Sequence, residues 1–327
     1  MSDLSTTFMG LMLKNPIIVS SSRLTYDIDR LKQCEAAGAG AVVLKSLFEE
    51  QINVESDRMV GDLNFDAYAD AYDYFTETSR DYYLNEYLDL VEQAKKNLSI
   101  PVIASVNCVS DGNWIEYAER FEKVGADALE LNIFIIPADE ETSGTLIEDK
   151  YVDILKKVKK KVSIPVALKL GSQFSGMANM MRRFGEEGAD GLVLFNRFYK
   201  PDIDIEDFKI KSSYVFSAPE EMAFTLQWMA ILAGKVKADL AATTGIHSSK
   251  DVIKQVLAGA HAVEMCSIFM KNGINVIETY LNEIEEWMQR KGFEKLSDFR
   301  GKMSQESVEH PEAYERSQYI KALVGIE

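Results

Sequence analysis

Side chains able to bind a ligand or transfer a proton recur at the ends of short apolar segments. Two are lysines, Lys45 and Lys169, each of which follows a run rich in Val, Leu or Ala. An unpaired ammonium group is too costly in an apolar core, so each lysine must face solvent, a carboxylate or an anionic ligand. An ion pair with a neighbouring carboxylate is thus the alternative to ligand binding. The same segment ends carry hydroxyls, amides and one guanidinium: Ser20, Ser21, Ser46, Asn107, Asn132, Asn196 and Arg197.

Two further segments have the composition of phosphate-binding turns. The segment AATTGIHSSKDV (241–252) contains Thr244 and Gly245 ahead of a predicted helix, and CSIFMKNG (266–273) contains Cys266 and Ser267 ahead of another. Small residues let backbone N–H groups approach a phosphate, and a helix amino terminus favours its negative charge. Together with the lysines and amides, these turns indicate a phosphorylated cofactor.

Parallel strands with helical crossovers would bring these segment ends together. The apolar segments lack strict polar alternation, which is typical of parallel strands covered on both faces. Between them lie amphipathic stretches such as 85–97 and 114–124, and glycine-alanine junctions recur where a helix meets the next strand. The pattern favours a (β/α)8 TIM barrel over an open doubly wound sheet. The eight predicted strands lie in segments 15–21, 40–46, 100–107, 128–136, 164–171, 191–197, 238–245 and 262–268.

The rest of the chain adds to one domain rather than forming a second. We expect a barrel over residues 1–292 and a C-terminal helical extension over 293–327. A short hairpin should precede the first strand. An insertion rich in aromatic residues, 47–84, follows the second strand. Because the loops after barrel strands form the active-site face, we expect this insertion to form a lid or one wall of the substrate site.

Charge and composition argue against several functional classes. Lys and Arg number 36 against 52 Asp and Glu, a net charge of −16 that would repel a nucleic-acid backbone. The one dense basic run, KKVKKK (156–161), has the composition of a solvated helix end. The three cysteines and three histidines lack metal-ligand spacing, so no metal site is expected. Without a membrane span or a secretory signal, we expect a cytoplasmic protein.

In the order and spacing of these motifs, the chain resembles the dihydroorotate dehydrogenase family from Leu4 to about Gly273. The resemblance implies a homodimeric FMN-binding barrel that acts on a small-molecule substrate in pyrimidine biosynthesis. Lys169 would then stabilise reduced flavin from its pyrimidine edge. Substrate contacts are implied at Lys45, Asn132, Asn196 and Arg197. FMN contacts are implied at Ser20, Ser21, Lys45, Ser46, Asn107, Asn132, Lys169, Asn196, Thr244, Gly245, Cys266 and Ser267.

The sequence departs from the family where its catalytic base would lie. Soluble members read Asn-x-Ser-Cys-Pro-Asn after the fourth strand, with the cysteine as base, whereas this chain reads NIFIIP (132–137). The base position therefore falls on Ile135, which cannot accept a proton. Weak replacement candidates are Cys108, Asp139 and Tyr199. The acidic segment ADEETSG (138–144) would also disfavour an anionic substrate unless a cation such as Arg197 compensates.

The leading hypothesis is an FMN-dependent dehydrogenase acting on CH–CH groups, similar to dihydroorotate dehydrogenase but with a substrate that can differ from dihydroorotate. One alternative is a flavin-binding barrel without turnover, as the loss of the base at Ile135 suggests. The other is a phosphate-binding barrel with lyase or isomerase chemistry, in which a lysine forms a Schiff base.

Overall fold

The computed structural model describes residues 2–54, 69–197, 201–212 and 216–316. Within them, eight parallel strands form a closed barrel. The predicted (β/α)8 fold is confirmed, and the open sheet is excluded because the last strand pairs with the first, Met265 opposite Val19. The barrel strands are β3 (Ile17–Val19), β4 (Ala41–Val43), β6 (Val102–Asn107), β7 (Ala128–Ile133), β8 (Val166–Leu170), β9 (Gly191–Leu194), β12 (Asp239–Thr243) and β13 (Ala262–Met265).

Five further strands of the described part lie outside the eight-membered ring. The predicted amino-terminal hairpin is present as β1 and β2, and the two-residue strand β5 extends the sheet beside β6. A separate antiparallel hairpin, β10 and β11, follows β9. Their bounds are β1 (Thr6–Phe8), β2 (Leu11–Leu13), β5 (Leu47–Phe48), β10 (Pro201–Asp204) and β11 (Lys209–Ser212).

Helices cover the outside of the barrel. Side-chain caps at Asp27, Ser143 and Ser248 begin three of them, because each oxygen accepts from a backbone N–H of the first turn. None of the helices in the described part is long and apolar enough to cross a membrane. Besides short helical segments at 49–54 and 313–316, the described part contains α1 (Ile28–Ala36), α2 (Ala69–Asn97), α3 (Asp111–Lys123), α4 (Gly144–Lys159), α5 (Met177–Glu186), α6 (Met222–Leu232), α7 (Ser249–Ala258), α8 (Ser267–Asn272) and α9 (Val276–Lys291).

The insertion and the tail differ in detail from the expectations. A helix covers 49–54, residues 55–68 lie outside the described part, and α2 begins at Ala69 rather than near residue 85, since no Gly or Pro interrupts the chain from 69 to 97. The tail to residue 316 is mostly turns, with a 3₁₀ helix at Leu296–Asp298 and a helical turn only from residue 313. Backbone bonds from Gly301 and Met303 fasten it to the end of α7.

The barrel interior changes from apolar to polar along its axis. Side chains alternate between the interior and the helices along each strand. At the amino ends, Ile18, Ile103 and Ala128 pack against the β1–β2 hairpin, which closes the bottom. Two residues further along the same strands, the interior positions are Ser20, Ser105 and Glu130. The polar side chains that could bind a ligand therefore lie in the half of the barrel that contains the carboxyl ends of the strands.

Candidate functional site

A buried ion-pair cluster occupies the middle of the barrel. The Lys169 ammonium lies 2.6 Å from Glu264 Oε2 and 3.5 Å from Glu130 Oε1, and it donates to Ser20 Oγ at 2.9 Å. Lys169 is 5% exposed and each glutamate 1%. The structure therefore shows Lys169 in the ion pair with carboxylates that the sequence allowed as the alternative to ligand binding. We refer to Lys169, Glu130 and Glu264 as the barrel triad.

The triad members shift one another's protonation. Burial raises the pKa of Glu130, and the nearby Glu264 charge raises it further. Burial also opposes ionisation of Glu264, but the Lys169 charge and its hydrogen bonds outweigh burial and hold its pKa below the ordinary value. For Lys169, the two carboxyl groups outweigh burial and raise the ammonium pKa. Lys169 is therefore a permanent cation at neutral pH.

A chain of hydroxyls connects the triad to the ends of β3 and β4. Ser105 Oγ donates to Glu130 Oε1 at 3.1 Å and lies 2.7 Å from Ser46 Oγ, which lies 3.1 Å from Ser21 Oγ. Tyr87 of α2 bonds both backbone groups of Ser105, accepting from its N–H at 2.9 Å and donating to its C=O at 3.0 Å. The predicted serines Ser20, Ser21 and Ser46 are thus joined in one network around Lys169.

Three predicted asparagines come together at the carboxyl ends of β6, β7 and β9. Asn107 Nδ2 donates to the Asn132 carbonyl at 2.8 Å, and Asn196 Nδ2 donates to Asn132 Oδ1. Asn196 is held in place by its own N–H, which donates to Leu170 O at 2.7 Å. Within the described residues, Asn132 Nδ2 makes no hydrogen bond. This asparagine row can therefore offer an amide donor to a ring carbonyl or nitrogen.

The turns after β12 and β13 form a second polar region. Ser217 N–H donates to Ser267 Oγ at 3.1 Å, Ser217 Oγ lies 2.9 Å from His247 Nε2, and Lys271 Nζ donates to Ser217 O at 3.2 Å. Thr244 has a φ of 72° and donates its hydroxyl to Phe195 O. Cys266 is the N-cap position of α8, with Sγ 3.8 Å from Met270 Sδ. The predicted turn residues therefore lie beside two basic groups.

Lys45 lies apart from Lys169. Its ammonium is 5.3 Å from the centroid of the Tyr26 ring, and together with Ser46 it lines a cavity of about 820 Å³ between the start of α1 and the carboxyl-terminal half of α2. Ser20, Asn132 and Lys169 do not line this cavity. The two predicted lysines therefore have different surroundings, one in an open cleft and one in the barrel interior.

Arg197 and the base position also have internal partners. Arg197 Nε donates to Glu221 Oε2 at 2.8 Å, so a carboxylate already compensates its charge. Ile135 is half-buried, and its N–H donates to Tyr151 OH at 3.0 Å. An aliphatic side chain thus stands where the resemblance places the base.

Of the replacement bases, the two in the described part gain no support from their surroundings. Burial raises the pKa of the Cys108 thiol, and the charge of Glu49 raises it further, which is the opposite of what a base at neutral pH requires. Asp139 is exposed, with a pKa lowered by hydrogen bonds from Thr142 and Glu141 N–H. Tyr199 lies outside the described residues.

Sequence reasoning missed several residues of these networks, among them Ser105 and Tyr87 of the hydroxyl chain. The signal for Glu130 and Glu264 was available, since each is the one acid within an apolar strand segment, ALELNI and AVEM. An acid in such a segment needs a buried partner. Ser217, His247 and Lys271 carried no comparable signal, because their contacts join residues 30 and 54 positions apart in the sequence.

Comparison with known proteins adds a family assignment to this geometry. A family model described as dihydroorotate dehydrogenase matches residues 3–288. The catalytic subunit of dihydroorotate dehydrogenase B (NAD(+)) from Thermoplasma volcanium is 27% identical, covering 92% of this chain and 98% of the relative. The corresponding subunit from Pyrococcus horikoshii is 26% identical, with 91% and 97% covered. A chloroplastic dihydropyrimidine dehydrogenase (NADP(+)) from Arabidopsis thaliana is 24% identical, with 96% and 80% covered.

Proposed function

We propose that this chain, which belongs to the dihydroorotate dehydrogenase family, is an FMN-dependent oxidoreductase that moves a hydride between a small ring substrate and the flavin. The observation that carries the proposal is the asparagine row at the barrel mouth, where Asn107, Asn132 and Asn196 meet beside the barrel triad. The relatives named above have dehydrogenase names throughout.

The donor set of the barrel mouth fits FMN. The free Asn132 amide and the Asn196 side chain suit the carbonyl and nitrogen edge of a flavin ring. The region after β12 and β13 suits a phosphate, since it combines two small-residue turns, Thr244-Gly245 and Cys266-Ser267, with His247 and Lys271. When bound, FMN would supply the hydride chemistry, while these side chains bind and orient it.

We further propose that the substrate is an uncharged dihydropyrimidine-like ring rather than dihydroorotate, which is an anion. Two observations support this. Arg197 is paired with Glu221 at 2.8 Å, so it is not a free cation for a substrate carboxylate. The segment after β7 also exposes Asp139, Glu140 and Glu141. Negative charge at the mouth raises the cost of bringing in an anion.

The lyase or isomerase alternative is weaker. A Schiff-base lysine must be available as a neutral amine, and enzymes achieve this by lowering its pKa. The Lys169 pKa is instead raised by Glu130 and Glu264. If the alternative were correct, borohydride would trap a carbonyl substrate on Lys169 or Lys45. We expect no such adduct.

The alternative of flavin binding without turnover rests on Ile135, which offers no proton acceptor. A general base contributes about 10²- to 10⁴-fold in rate, so its absence slows a proton-coupled oxidation without preventing flavin binding. Flavin reduction distinguishes an active dehydrogenase from a flavin-binding protein without turnover. In the latter, no dihydropyrimidine would bleach the absorbance of the bound flavin.

The test is an anaerobic flavin-reduction screen of the purified full-length chain. We expect a flavin absorbance spectrum, or uptake of added FMN, and bleaching by dihydrouracil or dihydrothymine faster than by dihydroorotate. The N132A variant should bind FMN at least about tenfold more weakly, since it loses hydrogen bonds worth about 1.5 kcal/mol or more. A matched control is N97A, at an exposed asparagine at the end of α2. Absence of any FMN binding would refute the proposal.

A further inference from the structure

The barrel triad has an unbalanced charge if all its members are ionised. One ammonium and two carboxylates sum to −1, and all three side chains lie inside the barrel with 7%, 1% and 1% of their side-chain surface exposed. A net charge at such a depth is costly, because few solvent dipoles reach it. A proton on one of the two carboxyl groups would remove the imbalance.

The hydrogen-bond pattern shows where that proton would be. Glu264 Oε2 accepts from Lys169 and Ser20, and Glu130 Oε1 accepts from Ser105 and faces Lys169. The other oxygens, Glu130 Oε2 and Glu264 Oε1, are buried without a hydrogen-bond donor among the described residues. The two carboxyl groups meet at the Lys169 ammonium, at 3.5 and 2.6 Å, and each shifts the pKa of the other. A proton shared by the two groups would supply a donor where the described residues offer none.

We infer that Glu130 is a neutral carboxylic acid at pH 7 whose O–H donates to the Glu264 carboxylate, so that the barrel triad carries no net charge. Glu130 takes the proton because Glu264 has the closer contact with Lys169, 2.6 Å against 3.5 Å. Ser20 supports the Glu264 charge with a further donated bond of 2.9 Å. The opposite directions of the two glutamate pKa values agree with this assignment.

Two other titratable groups of the described part lie near the pair, and neither competes for this proton. Tyr87 faces it through Ser105, and burial raises the pKa of its phenol well above the ordinary value. Burial also raises the pKa of the Cys266 thiol. Both stay neutral at pH 7, which leaves the two glutamates as the groups that hold the proton.

This inference deepens the proposed function and rests on it in one respect: it defines the charge that the barrel interior would present to FMN. With a shared proton, Lys169 presents a cation that Glu264 fully compensates, and an anionic cofactor meets a neutral interior. Glu130 and Glu264 would then be positioning residues for Lys169. Fully ionised, the triad would instead repel the cofactor and its reduced form.

The experiment is infrared spectroscopy of the full chain at pH 7 with ¹³C-labelled glutamate. A protonated carboxyl group has a carbonyl stretch separate from that of carboxylates, and a glutamic acid band shifts on ¹³C labelling and in D₂O. We expect one such band in the wild-type protein. It should disappear in E130Q and also in E264Q, because either change leaves one carboxylate for one ammonium. E49Q is the matched control, a buried carboxylate whose pKa is lowered, and should keep the band.

Each other result contradicts the inference in a defined way. A wild-type protein without the band would show both carboxylates ionised, and this arm needs no variant to fold. A band that persists in E130Q would place the proton on another residue. A band that persists in E264Q would show that burial alone, without sharing, protonates Glu130. Because the measurement uses no flavin, its outcome is independent of whether the protein binds FMN.

Discussion

Glu49 is a buried carboxylate, separate from the barrel triad, that links the start of the insertion to the loop after β6 through hydrogen bonds. It is 4% exposed and accepts from the N–H groups of Val109 and Ser110, at 2.7 and 2.9 Å, and from the Ser110 hydroxyl. These bonds also lie at the start of α3. Burial opposes its ionisation, but the donated bonds outweigh burial and lower its pKa.

We expect E49Q to lower the free energy of unfolding by roughly 1–2 kcal/mol at pH 7, since bonds to a charged acceptor become bonds to a neutral one. The folded pKa lies below the unfolded value of about 4.3, so the contribution is present above that pH and is lost as pH falls through the folded pKa. Urea unfolding of both proteins at pH 7 and at about pH 3.5, below the unfolded pKa, measures this, and the gap should be smaller at the lower pH.

The neighbouring Glu50 is exposed, so E50Q is the control and should leave stability within about 0.5 kcal/mol of wild type. A stability gap between wild type and E49Q that widens on acidification would contradict the assignment of Glu49 as an ionised anchor.

At the scale of elements, the turn after β12 depends on Gly245. Its φ is 75°, and a Cβ built there would lie 2.2 Å from Met222 N and 2.8 Å from Met222 Cα at the start of α6. Both atoms belong to the backbone, so a side chain could fit only if the turn or the helix moved. The turn and α6 therefore determine each other's position beside Thr244 and His247.

G245A should destabilise the protein by about 2–4 kcal/mol, the sum of a left-handed backbone cost and a steric clash, and should weaken FMN binding. Thermal unfolding and an FMN titration measure the two effects. G112A is the control, because a Cβ at Gly112 in α3 meets nothing within 4 Å. In a helix, it should be neutral or stabilising by up to about 1 kcal/mol. Equal stability of the two variants would show that the turn has room to adjust.

At the scale of the whole molecule, the β10–β11 hairpin has an apolar face exposed to solvent. Ile203 pairs with Ile210, and these are 65% and 82% exposed, with Phe208 at 88%. The opposite face pairs Asp202 with Lys211, and Lys211 Nζ lies 3.6 Å from Asp204. Two-stranded hairpins are marginal in water, and an exposed apolar patch marks a contact surface.

We expect a second copy of the chain to cover this face, forming the homodimer that the resemblance implies. A two-fold axis places the same patch on both sides, and an apolar contact places no like charges opposite each other between two chains that each carry a net charge of −16. Light scattering after gel filtration should give twice the chain mass. The double variant I203E/I210K, which keeps the net charge, should give a monomer. D202N/K211Q, on the opposite face, should stay dimeric; a monomeric wild type would contradict the prediction.

The sequence by itself determined the fold, because its signals are local. Apolar strand segments, amphipathic stretches and glycine junctions each concern a few neighbouring residues, and eight repeats of that unit left few ways to bury them. The same locality placed Asn107, Asn132, Lys169 and Asn196 at strand ends, where the barrel brings such residues to one face. The prediction that α2 starts near residue 85 was wrong, because the aromatic stretch from Ala69 contains no residue that would break a helix.

Only the tertiary structure decided what these residues contact. A parallel strand in a barrel is buried on both faces, so its apolar pattern does not distinguish the interior from the side facing the helices. Closure of the ring fixes that choice, and with it the meeting of Lys169 with Glu130 and Glu264 from two other strands. A lysine that by sequence could face an anionic ligand thereby became one member of a buried triad, since contacts between distant strands depend on register rather than on local composition.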